Sequence, residues 1–311
     1  MNDELKFTVI SDTHYYSKKN FVDGFDKNKK PKPGQLFFSR SEEIVEHTFD
    51  CLCKNDTPDI VLISGDLTYN GERTSHDEMK AALKKLQQKG KRVYVITATH
   101  DYTTPRMPTY GIDKNDKYIE VESVNRTQLL KYYGDFGYNN AIAKHKSTMS
   151  YVAQLADGYR LFALNDDYGD PDCGFSDELM NWVKTEANNA KRDGQYIIAM
   201  THHPLVPPSP IYAAVAKGDM LNEYELRRNQ LSDLGFDFVL TGHTHMHNIS
   251  YCKIGNKKFY DISTAALTGF PPYYRQIVLN KEQKKAEIKT ICADCADSID
   301  TNGLALEEYT K

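Results

Sequence analysis

The chain has 311 residues, is 40% hydrophobic and carries a net charge of −4 at neutral pH. That length suffices for one large domain with its own core, and the acidic balance argues against a nucleic-acid-binding surface, which is usually basic. No run of about 18 apolar residues occurs, which excludes a membrane-spanning helix, and MNDELKFTVIS enters a strand at once instead of reading as a signal peptide.

The first apolar run, LKFTVI (5–10), ends at Ser11-Asp12-Thr13-His14. Ser39-x-x-Glu42 then fits a capping box and predicts a helix that carries Cys51 and Cys53 on different faces. DIVLIS (59–64) ends at Gly65-Asp66-Leu67, and Ser75-x-x-Glu78 repeats the capping signal. RVYVIT (92–97) runs into Ala98-Thr99-His100-Asp101. From Tyr102 to about Ala153 the chain is rich in Tyr and Asn and poorly periodic, and it is expected to wrap over one end of the sheet. YRLFAL (159–164) ends at Asn165-Asp166-Asp167. SDELMNWVKTEANNAKRDG (176–194) has an N-cap serine and a terminal glycine, as a helix requires.

YIIAM (196–200) ends at Thr201-His202-His203-Pro204, a helix is expected from Leu221 to Leu234, and FDFVL (236–240) ends at Thr241-Gly242-His243-Thr244-His245. Past residue 247 the style changes to strand pairs joined by polar turns, YCKIGNKKFYDIS and YRQIVLNKEQKKAEIKT. The acidic end of the chain carries one short helical signal, LALEEY.

Short apolar runs alternating with helices predict a layered α/β domain whose strands are buried on both faces. Ligands of such sheets bind beyond the carboxyl ends of the strands, where these His and Asp residues stand. Carboxylates and imidazoles together suit Mn, Fe or Zn. One aspartate can bridge two ions. A metal pair clamps the attacking and leaving oxygens of a displacement at phosphorus and lowers the pKa of bound water.

Asp12-x-His14, Gly65-Asp66, His100-Asp101, His202 and Gly242-His243-x-His245, in this order, resemble the calcineurin-like metallophosphoesterase superfamily over residues 5 to about 280. The resemblance implies a four-layer α/β fold, a central β-sandwich flanked by helices, in place of a single parallel sheet. It implies two divalent or trivalent ions (Mn, Fe or Zn). Asp12, His14 and His245 would hold the first, Asp66 would bridge, and His202 and His243 would hold the second with Thr99. His100 would be the catalytic residue that protonates the leaving oxygen or stabilises the phosphoryl group, with Asp101 either orienting it or forming a turn.

The stretch KYYGDFGYNNAIAKHKSTMSYVAQL further resembles bacterial cyclic-nucleotide phosphodiesterase-like members. Those relatives imply a catalytic domain over 1–290 and a tail over 291–311, the start of a helical extension missing or lost. The expected activity is hydrolysis of a small phosphodiester, such as a cyclic nucleotide, by a metal-bound hydroxide. A phosphomonoesterase and a catalytically weakened metal-binding protein are the alternatives. The partner is a small phosphorylated substrate, with no nucleic acid expected.

Cysteine usage suggests the cytoplasm, and the resembling group suggests export. A reducing compartment would leave Cys292-x-x-Cys295 as thiols. One departure stands out. The family reads Gly-Asn-His where this chain reads Ala98-Thr99-His100. Thr99 offers a shorter, neutral hydroxyl in place of an amide oxygen, and Ala98 is expected to resist a backbone shape that glycine permits.

Overall fold

A computed structural model describes residues 4–26, 36–54, 56–167 and 173–293. The LALEEY helix, Cys295 and nearly all of the 291–311 tail lie outside the described residues.

The chain opens with β1 (Glu4–Ile10), α1 (Ser41–Leu52), β2 (Ile60–Ser64), α2 (Arg73–Gln88) and β3 (Arg92–Ile96). β1 pairs with β2 and β2 with β3, both parallel. A two-stranded ribbon follows, β4 (Gly111–Ile112) with β5 (Tyr118–Ile119), and then α3 (Leu129–Tyr133). The second half holds β6 (Ala143–His145), β7 (Ser150–Ala156), β8 (Tyr159–Ala163), α4 (Asp177–Arg192) and β9 (Tyr196–Met200). It continues with α5 (Pro210–Val215), α6 (Tyr224–Asp233) and β10 (Phe238–Thr241). Two hairpins close it, β11 (Asn248–Ile254) with β12 (Lys257–Ser263) and β13 (Tyr273–Asn280) with β14 (Lys285–Cys292).

These strands form two large sheets, one ordered β14-β13-β1-β2-β3 and one ordered β11-β12-β10-β9-β8-β7-β6. The hairpins predicted past residue 247 part company. β12 lies parallel to β10 in the seven-stranded sheet, whereas β13 lies antiparallel to β1 in the five-stranded one, Leu5 opposite Leu279.

Alternation within each run sets the layers, because successive side chains point to opposite faces of a strand. Phe7, Val9 and Leu62 meet Leu155, Leu161, Ile198 and Leu240 between the sheets. On the outer face of the five-stranded sheet, Val61, Ile63 and Val95 pack under Val45 and Phe49 of α1 and Met79 and Leu83 of α2. On the other outer face, Phe162, Ala199 and Val239 pack under Leu179 and Val183 of α4, with Phe175 and Phe236. The result is helix, sheet, sheet, helix, the sandwich the resemblance implies. Both faces of both sheets are covered, so the runs read as unbroken apolar stretches. Fully burying one such Leu, Ile or Phe contributes roughly 1.5–3 kcal/mol.

The local signals fare unevenly. Ser176 caps α4 by accepting a hydrogen bond from the Leu179 N–H, and Gly194 follows at φ +65°. The two capping boxes do not form. Phe38–Arg40 is a turn of 3₁₀ helix, so α1 starts only at Ser41, and the Ser41 hydroxyl serves the Tyr16 N–H. α2 starts at Arg73, which places Ser75 inside it, where its hydroxyl accepts from Ser17 N and Asn20 Nδ2. The segment after Tyr102 ties back to α2: the Tyr133 hydroxyl lies 2.6 Å from His76 Nδ1, and His76 Nε2 lies 3.0 Å from the Asp101 carbonyl oxygen.

Candidate metal centre

The carboxyl ends of parallel strands from both sheets meet at one edge of the sandwich. Asp12 and His14 follow β1, Asp66 follows β2 and His100 follows β3. From the facing sheet, His202 follows β9, and His243 and His245 follow β10. Three groups result, in each of which the ligating atoms lie within 4.8 Å of one another: Asp12, His14 and His245; Asp66, His202 and His243; and His14, Asp66 and His100.

Asp12, His14, Asp66 and His202 form a buried floor. His100, His243 and His245 form a half-buried rim. His14 Nε2 lies 3.1 Å from His245 Nε2 and 3.8 Å from Asp66 Oδ2, and His245 Nε2 lies 3.4 Å from Asp12 Oδ1. His202 Nε2 lies 3.1 Å from Asp66 Oδ2.

The backbone is bent hard to aim these groups. Asp12, His14, Asp66, His243 and His245 all have positive φ, between 38° and 64°. Such conformations are costly for non-glycine residues and persist only where the surroundings enforce them. Here the enforcement is visible. Asp12 N donates to the Gly65 carbonyl and His14 N to the Asp66 carbonyl. His243 N donates to Asp12 Oδ2 at 3.1 Å, while the Ser11 hydroxyl donates to that same oxygen. Two glycines are obligatory. A Cβ on Gly65 would come within 2.7 Å of His202 Nδ1 and 2.8 Å of the Ala98 Cβ, and one on Gly242 would overlap the Ser11 hydroxyl and the Asp12 carboxylate.

The electrostatics suit a cation. Burial alone would raise the Asp66 carboxyl, but the His202 and His100 imidazoles outweigh it and hold it well below the usual carboxylate range. Burial likewise opposes ionisation of Asp12, and His245 and His202 outweigh it. Burial lowers His14 to about 3, with His100 adding to the shift, and burial with His203 lowers His243 far below the usual imidazole range. Ionised carboxylates beside neutral His14 and His243 are the protonation states that metal binding needs, whereas at His245 burial is outweighed by Asp12, which raises the imidazole and holds on it a proton that a cation would displace. Burial would also lower His202, but Asp66 and Asp12 beside it raise it well above the usual range. Buried His14 Nδ1 has no hydrogen-bond partner, and His202 Nε2 faces the Asp66 carboxylate at 3.1 Å. Buried polar atoms are normally paired, and for His202 Nε2, aimed among carboxylate oxygens, a cation is the fitting partner. The donor set fits Mn, Fe or Zn.

The predicted ligands and His100 therefore converge, and Thr99 sits half-buried on the same 3₁₀ turn, Thr99–Asp101. The expectation for Ala98 is overturned: its φ of −146° and ψ of −167° are ordinary extended backbone, so no glycine is required. Asp101 is a turn former. Its Oδ2 accepts from Ala98 N at 2.9 Å and its Oδ1 from Thr68 N at 2.8 Å. The orienting partners of His100 are residues that sequence reasoning missed. His100 Nδ1 lies 2.6 Å from the Tyr69 carbonyl oxygen and 2.8 Å from Asn70 Oδ1.

Two further supports were also missed. His202 Nδ1 lies 2.8 Å from the Ser64 carbonyl oxygen. Asp166 Oδ2 accepts from His203 N at 2.7 Å and holds His203, whose ring lies 4.0 Å from that of His243. Only Asp166, standing at a strand end, left any signal in the sequence.

Comparison with solved structures finds this fold elsewhere. A dimetal phosphatase from Danio rerio superposes with a TM-score of 0.60 at 12% identity, covering 93% of this chain and 99% of that one. A purple acid phosphatase from yellow lupin (Lupinus luteus) seeds gives 0.59 at 12% identity, covering 93% of this chain and 52% of that one. No curated protein sequence matches significantly. The Calcineurin-like phosphoesterase family model matches residues 5–247, and the chain belongs to that family of phosphoester hydrolases.

Proposed function

We propose that this protein hydrolyses small phosphodiesters, cyclic nucleotides among them, with two ions of Mn, Fe or Zn. The observation that carries the reading is the adjacency of the Asp12, His14, His245 group and the Asp66, His202, His243 group, with His100 beside both. In this reading the first group would hold one ion and the second, with Thr99 as a weaker ligand, the other, Asp66 standing between them. When bound, such ions would supply Lewis-acid polarisation of the phosphoryl group and a nucleophilic water near neutral pH.

The chain's own residues do the rest. The Tyr69 carbonyl and the Asn70 amide oxygen are both acceptors, so His100 Nδ1 carries a proton and Nε2 is the nitrogen left to exchange one with the departing oxygen. The resemblance of residues 131–155 to cyclic-nucleotide phosphodiesterases supports the diester assignment. That stretch is also tied to the His100 turn, through Tyr133, His76 and the Asp101 carbonyl.

The test is metal content per chain alongside hydrolysis of bis(p-nitrophenyl) phosphate and p-nitrophenyl phosphate, after reconstitution with manganese. Near two ions per chain and faster diester turnover are expected. Faster monoester turnover would favour the second reading, a phosphomonoesterase. No turnover of either with Mn, Fe, Zn or Co would overturn the enzyme reading for these substrates.

A further inference from the structure

An aromatic strip leaves the metal centre beside His14 and His100. The Tyr69 ring centroid lies 6.2 Å from that of His14 and 6.4 Å from that of His100. Phe38 lies 5.3 Å from Tyr69 at an interplanar angle of 32°, and Tyr110 lies 6.2 Å from it at 83°. Tyr118 follows at 4.1 Å from Tyr110 and is 64% exposed. Tyr69, Phe38 and Tyr110 are each half-buried. The strip thus runs from the edge of the ligand cluster towards solvent.

Its inner end is rigid. Fully buried Tyr16 backs Tyr69 edge-on at 5.7 Å, and its hydroxyl donates to the Tyr110 carbonyl oxygen at 3.1 Å. Because the Tyr69 carbonyl also engages His100 Nδ1, ring and imidazole are set on one backbone. The strip therefore stands beside the residues that would bind a phosphoester.

We infer that Tyr69, Phe38, Tyr110 and Tyr118 form a binding surface for a planar aromatic group of the substrate, a nucleobase or an aryl ring. This assignment to substrate rests on the proposed function. Offset-stacked and edge-to-face packing are the arrangements aromatic pairs prefer, and a flat partner added to such a strip adopts one of them. Such stacking tolerates different rings, because each has a π-face.

The test is calorimetric titration of the manganese-loaded whole chain with benzylphosphonate and with methylphosphonate. The two carry the same head group and neither is hydrolysed. Benzylphosphonate is expected to bind about tenfold more tightly, ~1.4 kcal/mol. Phe38→Ala and Tyr110→Ala should each shrink that preference while methylphosphonate affinity stays the same. Equal affinities in the wild type, or a preference that survives both substitutions, would overturn the proposal. The wild-type comparison needs no variant to fold.

Turnover is read separately. Diester hydrolysis without ring preference sinks this inference alone. Ring preference without hydrolysis sinks the phosphodiesterase reading and leaves the aromatic surface standing.

Discussion

Asp101 gives the most direct test of how the centre is held. It is fully buried, and each of its carboxylate oxygens accepts a backbone N–H: Ala98 on its own turn and Thr68 on the loop that follows Asp66. Asp101→Ala leaves both buried donors without partners. Burial and the neighbouring Asp66 push the Asp101 carboxyl well above the usual carboxylate range, so its bonds are not bonds to a charge. A buried donor left unpaired costs about 1–3 kcal/mol, and the loss should be about 2–6 kcal/mol. Asp101→Asn keeps an oxygen for Thr68 but turns its NH₂ towards the Ala98 N–H, and should lose roughly half as much. At about 2–4 °C per kcal/mol for large domains, the alanine variant should melt on the order of 10 °C lower. The turn also carries His100, and a shift of about 1 Å there should reduce kcat on the order of 10²-fold. Thermal melts and steady-state kinetics on metal-loaded protein read both effects. A melting temperature for Asp101→Ala within about 2 °C of wild type would refute the reasoning, and identical losses in the two variants would refute the division between the oxygens.

Other expectations follow from the same geometry. Thr99→Asn should tighten second-ion binding about tenfold, ~1.4 kcal/mol, with metal content per chain and diesterase rate both rising; full occupancy in the wild type and no change in rate would count against it. Gly242→Ala pushes a methyl into the Ser11 hydroxyl and the Asp12 carboxylate. It should abolish metal uptake while circular dichroism shows an intact fold, and normal metal content would contradict the packing argument. Burial pushes the Glu72 carboxyl up to about 7, against the backbone N–H bonds that would lower it. A raised carboxyl stabilises the fold below its unfolded pKa near 4.5, and that contribution is lost as pH rises through about 7. Ionisation should cost roughly 3 kcal/mol at pH 8. Glu72→Gln should therefore be the more stable protein at pH 8 but not at pH 4.5, and parallel melting curves against pH would rule this out.

What could be read in advance was whatever repeats with a period or stands beside a break in one. β1, β2, β3, β8, β9 and β10 announce themselves as apolar runs, and the ligands stand where those runs stop. Which sheet a strand joins leaves no such mark: β1 finds β13 across nearly the whole chain, Leu5 opposite Leu279. The capping boxes failed because neither serine stands where its helix starts. Ser39 falls within the 3₁₀ turn Phe38–Arg40 ahead of α1, and Ser75 lies inside α2, where its hydroxyl accepts from Ser17 and Asn20, a contact between segments far apart in sequence. The orientation of His100 was illegible for a related reason. One partner, the Tyr69 carbonyl, is a group every residue carries, and the other, Asn70, has the composition of an ordinary turn residue.

The division of the ligands between sheets has a consequence for the molecule as a whole. Asp12, His14, Asp66 and His100 belong to the five-stranded sheet, and His202, His243 and His245 to the seven-stranded one. Among the described residues, the polar ties between these two ligand sets include Ser64 with His202 and Asp12 with His243. A cation seated among both sets is a rivet through the sandwich. It makes the cohesion of the two halves a function of free metal concentration, gaining about 2.7 kcal/mol when that concentration is 100 times the dissociation constant. Chelation should then loosen the seam along this edge first, and the helices on the outer faces only afterwards.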